Sequence, residues 1–118
     1  MMRPPAHVAV YLCSEPVDFR KAIGGLSVLV EQAFGLDPFA PALYVFTNRH
    51  RNRIKILYWE RNGFCLWQKR LERQKFRWPQ APMSKTLTLT GQELNWLLDG
   101  FDIWNHPPHK MLTFQSVS

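Results

Sequence analysis

Residues 49–77, RHRNRIKILYWERNGFCLWQKRLERQKFR, decide the fold of this 118-residue chain. In the middle of the stretch stands Asn62-Gly63, which is typical of a two-residue type I′ turn because both central positions take φ > 0. Runs rich in β-branched and aromatic residues flank this pair on both sides, as expected for two antiparallel strands. We therefore predict a β-hairpin with strands over residues 53–60 and 64–71.

The predicted turn also sets the pairing between the two strands. It places Tyr58 opposite Trp67 and Lys55 opposite Arg70. Two like charges directly opposite each other are unfavourable, and an anionic partner would relieve that repulsion. Because side chains alternate between the two faces of a strand, one face of the hairpin is mixed and the other is apolar. The apolar face, which we assign to the core, carries Ile54, Ile56, Tyr58, Trp67 and Leu71, with Lys69 at its margin.

The same stretch carries the whole basic excess of the protein. It holds ten of the fifteen Lys and Arg residues but two of the nine acids, so its net charge is +8 and that of the remaining chain is −2. A concentrated basic surface favours anionic partners, above all nucleic acid, and a two-stranded ribbon fits the major groove of DNA. We therefore predict a DNA-binding surface made of Arg49, His50, Arg51, Arg53, Lys55, Lys69, Arg70, Arg73, Lys75 and Arg77.

Arg20 and Lys21 join this predicted surface for a different reason. Apolar residues at helical spacing predict a helix over residues 18–34, with Asp18 as its N-cap and Gly35 at its end. Cations in the first turn of a helix oppose the helix dipole, so a purely structural role for these two side chains is weak. An ion pair or an anionic ligand at the helix N-terminus would explain them.

Other segments complete the fold. Residues 7–13 and 43–47 are apolar enough for buried strands, and residues 76–78 fit a short edge piece. A second helix over residues 91–99 follows from the capping box that opens at Thr90. We therefore expect an α+β fold, in which an antiparallel meander of about four or five strands has two helices packed on one face.

Three tryptophans in or beside the hairpin have two possible roles. Trp59, Trp67 and Trp78 could be platforms on which unpaired bases stack, or they could be buried residues of the sheet. The apolar face of the hairpin assigns Trp67 to the core. For Trp59 both roles stay open.

The length of the chain favours one domain over residues 1–118, with an ordered core over 7–104 and a loose tail over 105–118. The two cysteines form no ligand pattern and are expected to be free thiols in a reducing cytoplasm. No apolar run has the length of a signal sequence or of a membrane span, so we expect no membrane partner. No spacing of acids or histidines matches a metal-ligand motif, so we expect no catalytic residues, metal ions or cofactors.

A series of short motifs resembles a known family. The motifs, in order, are PVDFRK at 16–21, GLDPF at 35–39, IKILYW at 54–59, GFCL at 63–66, KRLE at 69–72, FRWP at 76–79 and the segment 87–100. No single motif is specific, but the ordered set over about residues 8–104 resembles the TnpB-type accessory protein of bacterial insertion-sequence family 66. The chain departs from the pattern at Ala22, where a glycine is usual, and at the turn residues 60–62.

The resemblance implies participation in transposition beside a separate transposase that carries the catalytic acids. The role that we expect is a non-catalytic accessory protein that binds DNA, either the ends of the element or duplex of any sequence. The first alternative is an adaptor that recruits the transposase through an aromatic surface, and the second is a small enzyme acting on nucleic acid. The resemblance leaves the DNA site, its strandedness and the oligomeric state open.

Overall fold

The computed structural model describes residues 9–80 and 84–105. Five strands form one sheet in the order β4-β3-β2-β1-β5. Strand β1 runs parallel to β2, and the other neighbouring pairs are antiparallel. The elements in chain order are β1 (Ala9–Cys13), α1 (Ile23–Phe34), β2 (Ala42–Thr47), β3 (Arg53–Glu60), β4 (Gly63–Arg70), β5 (Thr86–Leu89) and α2 (Gly91–Leu98).

The α+β class with two helices and about five strands is confirmed, but one pairing differs from the prediction. We expected an antiparallel sheet, whereas β1 and β2 are parallel. The reason is α1, which lies between them in sequence and carries the chain back to the end of the sheet from which β1 starts. Strand β5, which the sequence did not single out, adds to the free edge of β1.

The two helices lie on opposite faces of the sheet, so the prediction that both pack on one face was wrong. Alternate residues of β1 and β2 point to different cores, because side chains alternate along a strand. On one face, Val10 and Val45 pack with Leu94 and Leu97 of α2. On the other face, residues such as Phe46 and Leu57 pack with α1 through Leu26 and Val30. We call these the α2 face and the α1 face.

The hairpin of β3 and β4 turns one residue earlier than predicted. Glu60 pairs with Gly63, so Arg61 and Asn62 are the loop residues. Arg61 takes a positive φ of 54° but Asn62 does not, so the turn is not the predicted type I′. Every residue of β4 therefore faces a partner two positions away from the predicted one, and Tyr58 pairs with Cys65. The shift is even, so the predicted assignment of side chains to the two faces still holds.

Helix α1 begins five residues later than predicted, at Ile23, with Ala22 as an N-cap that makes no side-chain hydrogen bond. Asp18 was expected to cap this helix but instead accepts a hydrogen bond from the backbone N–H of Arg20, 2.9 Å away. The end is as predicted, because Gly35 takes φ = 64° and its N–H donates to the carbonyl of Val30.

The capping box of α2 is confirmed. The Thr90 hydroxyl accepts from the N–H of Glu93, and the Glu93 carboxylate accepts from the N–H of Thr90. Residues 76–78 do not form the expected edge strand; Phe76 and Trp78 instead fill the core under α2. The expected loose tail over 105–118 lies outside the described residues apart from position 105.

Candidate nucleic-acid interface

The loop between β2 and β3 is held in shape by one asparagine. The side-chain oxygen of Asn48 accepts from the backbone N–H groups of Asn52 and Arg53, each 3.1 Å away. Its side-chain nitrogen donates to the side-chain oxygen of Asn52 at 2.7 Å. This closed turn leaves Arg49 and His50 exposed at its tip. The two side chains therefore project from a fixed loop.

Arg51 lies in the same loop but has a different role. Its φ is 58°, in the left-handed region that costs a residue with a side chain roughly 1–2 kcal/mol. Its carbonyl accepts a hydrogen bond from the N–H of Phe76 at 2.7 Å, which ties the loop to the segment after β4. Its Nε atom is buried and has no hydrogen-bond partner among the described residues. Arg51 is thus partly buried rather than displayed.

A cleft with a volume of about 570 Å³ opens beside this loop. One wall is the segment 16–19, which follows β1, and the other is the loop segment 48–50. The N–H of Val17 donates to the carbonyl of Thr47 at 2.9 Å and joins the two walls at their base. The motif at residues 16–21 and the basic loop are therefore neighbours in space although they are distant in sequence.

Lys55 fixes the first wall of this cleft from below. The residue is 8% exposed, and its Nζ donates to the carbonyls of Phe19 at 2.9 Å and Lys21 at 3.0 Å. The same nitrogen lies 4.7 Å from the centre of the Phe19 ring, in a cation–π contact. Burial, with a smaller contribution from the nearby Arg53, lowers the pKa of the Lys55 ammonium. We predicted Lys55 as a DNA contact, but its ammonium is occupied inside the protein.

Arg20 and Lys21 both lie at the exposed surface beside the cleft. They precede α1 rather than standing in its first turn, so the expected conflict with the helix dipole does not arise. Arg20 makes the ion pair that the sequence left open, with its Nη2 2.6 Å from Oδ2 of Asp18. The side-chain hydrogen bond from Arg20 lowers the pKa of Asp18 to about 2.

Arg53 and Arg70 stand opposite each other where β3 begins and β4 ends. The like-charged pair of the hairpin is therefore Arg53–Arg70, and Lys55 pairs with Gln68 instead of with Arg70 as predicted. The positive charge of Arg70 is partly balanced by Glu72, whose carboxylate lies 3.1 Å from the guanidinium. This pair of arginines lies on the α1 face, the same face as Lys55.

The segment after β4 forms a second basic region. Arg73, Lys75 and Arg77 are exposed, and Phe76 and Trp78 on either side of Arg77 are buried. A second cleft of about 420 Å³ is lined by Lys75 and Arg77 together with residues 74 and 100. Because Phe76 and Trp78 belong to the core under α2, this basic strip lies on the α2 side of the molecule.

Lys69, the remaining predicted contact, is turned toward α2. Its Nζ donates to the carbonyl of Leu98 at 2.8 Å, where the helix ends. A cation at a helix C-terminus satisfies a free carbonyl and favours the helix dipole. The side chain thus has a structural partner on the α2 face.

The twelve predicted residues therefore separate into three sets. Six of them lie in the cleft or on the segments that adjoin it, three lie on the strip, and three form hydrogen bonds with other segments of the protein. The cleft group is Arg49 and His50, which line the cleft, with Arg20, Lys21, Arg53 and Arg70 on the adjoining segments; the strip group is Arg73, Lys75 and Arg77; and the third set is Lys55 and Lys69, whose ammonium groups donate to carbonyls, with Arg51, whose backbone carbonyl accepts from Phe76.

Sequence reasoning missed an aromatic cluster near the hairpin turn. The rings of Phe39, Trp59 and Phe64 contact one another, with centroids 4.9, 5.2 and 5.0 Å apart. Phe39 is 53% exposed. The available signal was the GLDPF motif, whose last residue is Phe39. Trp59 therefore belongs to a surface cluster.

Of the other two tryptophans in or beside the hairpin, Trp78 lies in the core and Trp67 is partly buried against it. Trp67 packs against the α2-face core, as predicted. Trp78 is 5% exposed, and its indole N–H donates to the carbonyls of Cys13 and Ser14. Trp78 therefore presents no ring face on which a base could stack.

Residues 9–80 and 84–105 contain no group of three or more His, Cys, Asp or Glu side chains placed to hold a metal ion. In the same ranges, no helix combines the length and the apolar character needed to cross a membrane.

Comparisons with known proteins agree with the motif series. Residues 8–108 match the family model described as IS66 Orf2 like protein. The uncharacterized protein y4hO of Sinorhizobium fredii (strain NBRC 101917 / NGR234) is 31% identical over 107 residues, covering 91% of each chain. The uncharacterized protein y4jC of the same strain is 31% identical over 110 residues, covering 93% of this chain and 92% of the relative. No solved structure gives a significant match.

Proposed function

The chain belongs to the IS66 Orf2-like family, and from that premise we propose that it is a non-catalytic accessory protein of insertion-sequence transposition that binds DNA. The observation that carries the proposal is the cleft group of basic residues around the fixed loop 48–52. DNA phosphates attract such a cluster, and the release of their counterions favours binding.

The charge balance around the cleft supports this function. The acid in its wall, Asp18, is neutralised by Arg20, and Glu72 is paired with Arg70. Arg49 and Lys21 have no ion-pair partner among the described residues, so their charges are available to an external anion. A polyanion that bridges Arg53 and Arg70 would also relieve the repulsion between the two guanidinium groups.

The strip group extends the proposed surface around the end of the sheet. Phe76, in the middle of the strip, is hydrogen-bonded to Arg51 of the loop, so the strip is joined directly to the cleft region. DNA that contacts both groups would follow the end of β3 and β4 rather than their length. We therefore propose that the hairpin contributes its open end, and not its turn, to DNA binding.

Fluorescence anisotropy tests the proposal. A labelled duplex carrying the element's terminal repeat and a scrambled duplex are each titrated at several salt concentrations. We expect log K to fall with log salt, and each phosphate contact to contribute about 0.9 to the slope. The double variant Arg49→Ala, Lys75→Ala removes one cation from each group, so the slope should fall by about 1.8. A difference in affinity between the two duplexes would show that the protein also recognises base sequence.

The chain offers a charge-matched control at the hairpin turn. Arg61 is exposed and directly follows Glu60, which lies about 23 Å from Arg53 along β3, at ~3.3 Å per residue. The variant Arg61→Gly removes one positive charge and suits the positive φ of that position. It should leave the salt slope unchanged. If Arg61→Gly weakens binding as much as Arg49→Ala does, overall charge alone governs binding and the proposed surface is rejected.

The aromatic cluster favours a second candidate function, an adaptor that binds the transposase. Exposed aromatic side chains are enriched at the centres of protein interfaces, and Phe39 is half exposed although it touches two other rings. A pull-down of the transposase in the absence of DNA tests this role. Loss of binding in Phe39→Ala, with retention in Arg49→Ala, would assign the contact to the cluster. Equal binding of the transposase by both variants would reject the aromatic cluster as the contact.

A further inference from the structure

The cleft between segments 16–19 and 48–50 has two chemically different sides. Pro16, Val17 and Phe19 supply apolar and aromatic surface on one side, and Arg49 and His50 supply cationic or polar groups on the other. Its volume of about 570 Å³ is in the range of pockets that hold small organic ligands, roughly 300–1,000 Å³. Duplex DNA held only by its phosphates does not require such an apolar wall.

An apolar side and a cationic side together match the two chemical parts of a nucleotide, its base and its phosphate. A base offers a flat aromatic face that stacks on aromatic or apolar side chains, and its phosphate accepts hydrogen bonds from Arg and His. Asp18 also lines the cleft, but its carboxylate is bound through both oxygens by Arg20. The negative charge of the wall is thereby balanced, so it does not oppose an entering phosphate.

The cleft is also formed in advance of any ligand. The backbone hydrogen bond from Val17 to Thr47 joins its walls, and Lys55 holds the carbonyl of Phe19 from below. The side chain of Asn48 closes the opposite loop through its three hydrogen bonds. The backbone of both walls is therefore already ordered before a ligand binds, which lowers the entropic cost of binding.

We propose that this cleft receives one unpaired nucleotide of a DNA strand, with its base against Phe19 and Pro16 and its phosphate at Arg49 and His50. The inference rests on the proposed DNA-binding function and specifies which DNA is preferred. A perfect duplex must expel a base to fill the cleft, at a cost of a few kcal/mol, whereas in a bulged or frayed strand the base is already unpaired. The protein therefore favours DNA that carries an unpaired nucleotide.

The test compares three labelled DNAs of the same sequence: a perfect duplex, a duplex with a one-nucleotide bulge, and a duplex with an abasic bulge. Anisotropy titrations should show that the base-containing bulge binds about 5- to 150-fold more tightly than the perfect duplex, the range that a stacked base supplies. The abasic bulge has the same backbone and flexibility but no base, and it should lose most of this gain.

Two matched variants assign the gain to the cleft. Phe19→Leu keeps an apolar side chain but removes the ring, so it should abolish the preference for the bulge while perfect-duplex affinity and the salt slope persist. Phe39→Leu makes the same change at an exposed ring outside the cleft and should retain the preference. Circular dichroism and urea unfolding establish that both variants are folded.

The outcomes separate the two proposals. Equal binding of bulged and perfect duplex, an abasic bulge as good as the base-containing one, or an unchanged preference in Phe19→Leu would each overturn the cleft assignment and leave general DNA binding intact. Absence of binding to all three DNAs at low salt would reject both proposals. A preference that disappears equally in Phe19→Leu and Phe39→Leu would also overturn the cleft assignment.

Discussion

Replacement of Lys55 by methionine separates a structural role of this ammonium from a role in binding phosphate. The Nζ atom makes two hydrogen bonds, to the carbonyls of Phe19 and Lys21, in a residue that is 8% exposed. A hydrogen bond to a charged group contributes about 1.5–3 kcal/mol. Methionine retains most of the packing of the aliphatic stem but leaves both carbonyls without this donor.

The expected loss of stability follows from these contacts. Removal of the ammonium also removes the free-energy cost of burying its charge, which offsets part of the loss. We therefore expect Lys55→Met to lower the free energy of unfolding by about 2–3 kcal/mol, less than the full value of two bonds. Lys69→Met loses a single hydrogen bond, to Leu98, and should cost about half as much.

Urea unfolding followed by tryptophan fluorescence measures the effect, and the DNA salt slope provides the second readout. We expect Lys55→Met to be destabilised, and Lys55→Arg to keep the charge without restoring stability, because a planar guanidinium has a different donor geometry from an ammonium. A Lys55→Met protein that unfolds within about 0.5 kcal/mol of wild type and loses about 0.9 from the salt slope would refute this reasoning. It would identify Lys55 as a phosphate contact after all.

Four further predictions concern stability, acidity and reactivity. Gly24→Ala should stabilise the protein by about 0.4–1 kcal/mol in urea unfolding, because an added Cβ meets no atom within 4 Å; a loss would contradict this. Thr90→Ala removes the α2 capping box and should cost about 1 kcal/mol in the same assay, whereas no change would show that the cap is dispensable. The pKa of Asp18 is lowered from 3.8 to about 2, so its contribution to stability is complete above about pH 4 and is lost as the pH falls through about 2. Asp18→Asn should therefore weaken the dependence of acid unfolding on pH, and an unchanged dependence would contradict the ion pair. Burial raises the pKa of the Cys13 thiol to about 11, so in Cys65→Ser a thiol reagent at pH 8 should label Cys13 only after unfolding; rapid labelling of the folded variant would show that the thiol is accessible.

The sequence predicted the elements whose signals are local. The capping box placed α2 correctly, and the strand-rich runs placed β3 and β4 within one residue. The turn between these strands shifted because an Asn-Gly pair was assumed to supply both loop positions, whereas Arg61 takes the left-handed conformation itself. Turn residues express a preference, and the pairing of two whole strands can override it.

The arrangement of the helices and the sheet in layers depends on contacts between distant segments, so it was harder to predict from the sequence. A signal was nevertheless present, since all six residues of β2 are buried and their sequence, ALYVFT, is almost wholly apolar. A strand that is apolar on both faces is covered on both, which argues against placing both helices on the same side. The parallel pairing of β1 with β2 follows from the intervening helix by the same kind of argument.

For the candidate site, the sequence showed which segment carries the positive charge but not which way its side chains point. Lys55 and Lys69 carry the same charge as their neighbours in the hairpin, yet their ammonium groups bind backbone carbonyls of other segments. Which carbonyls need a donor is known only after the chain has folded, because a segment without helix or sheet partners must find one elsewhere. The cleft could not be predicted either, because its walls come from segments about thirty residues apart that meet only in the folded chain.

The position of β1 inside the sheet has a consequence for how the chain folds during synthesis. Strands β2, β3 and β4 pair with their sequence neighbours and can assemble early, but Cys13 pairs with Thr86, 73 positions later. At about 5–20 residues per second, a ribosome takes roughly 4–15 s to make that interval. Until then one edge of β1 has no strand beside it, and the apolar face under α2 is uncovered. The segment from Thr86 to Leu98 is therefore the last to shield a nascent chain from self-association, and a protein truncated before it should aggregate.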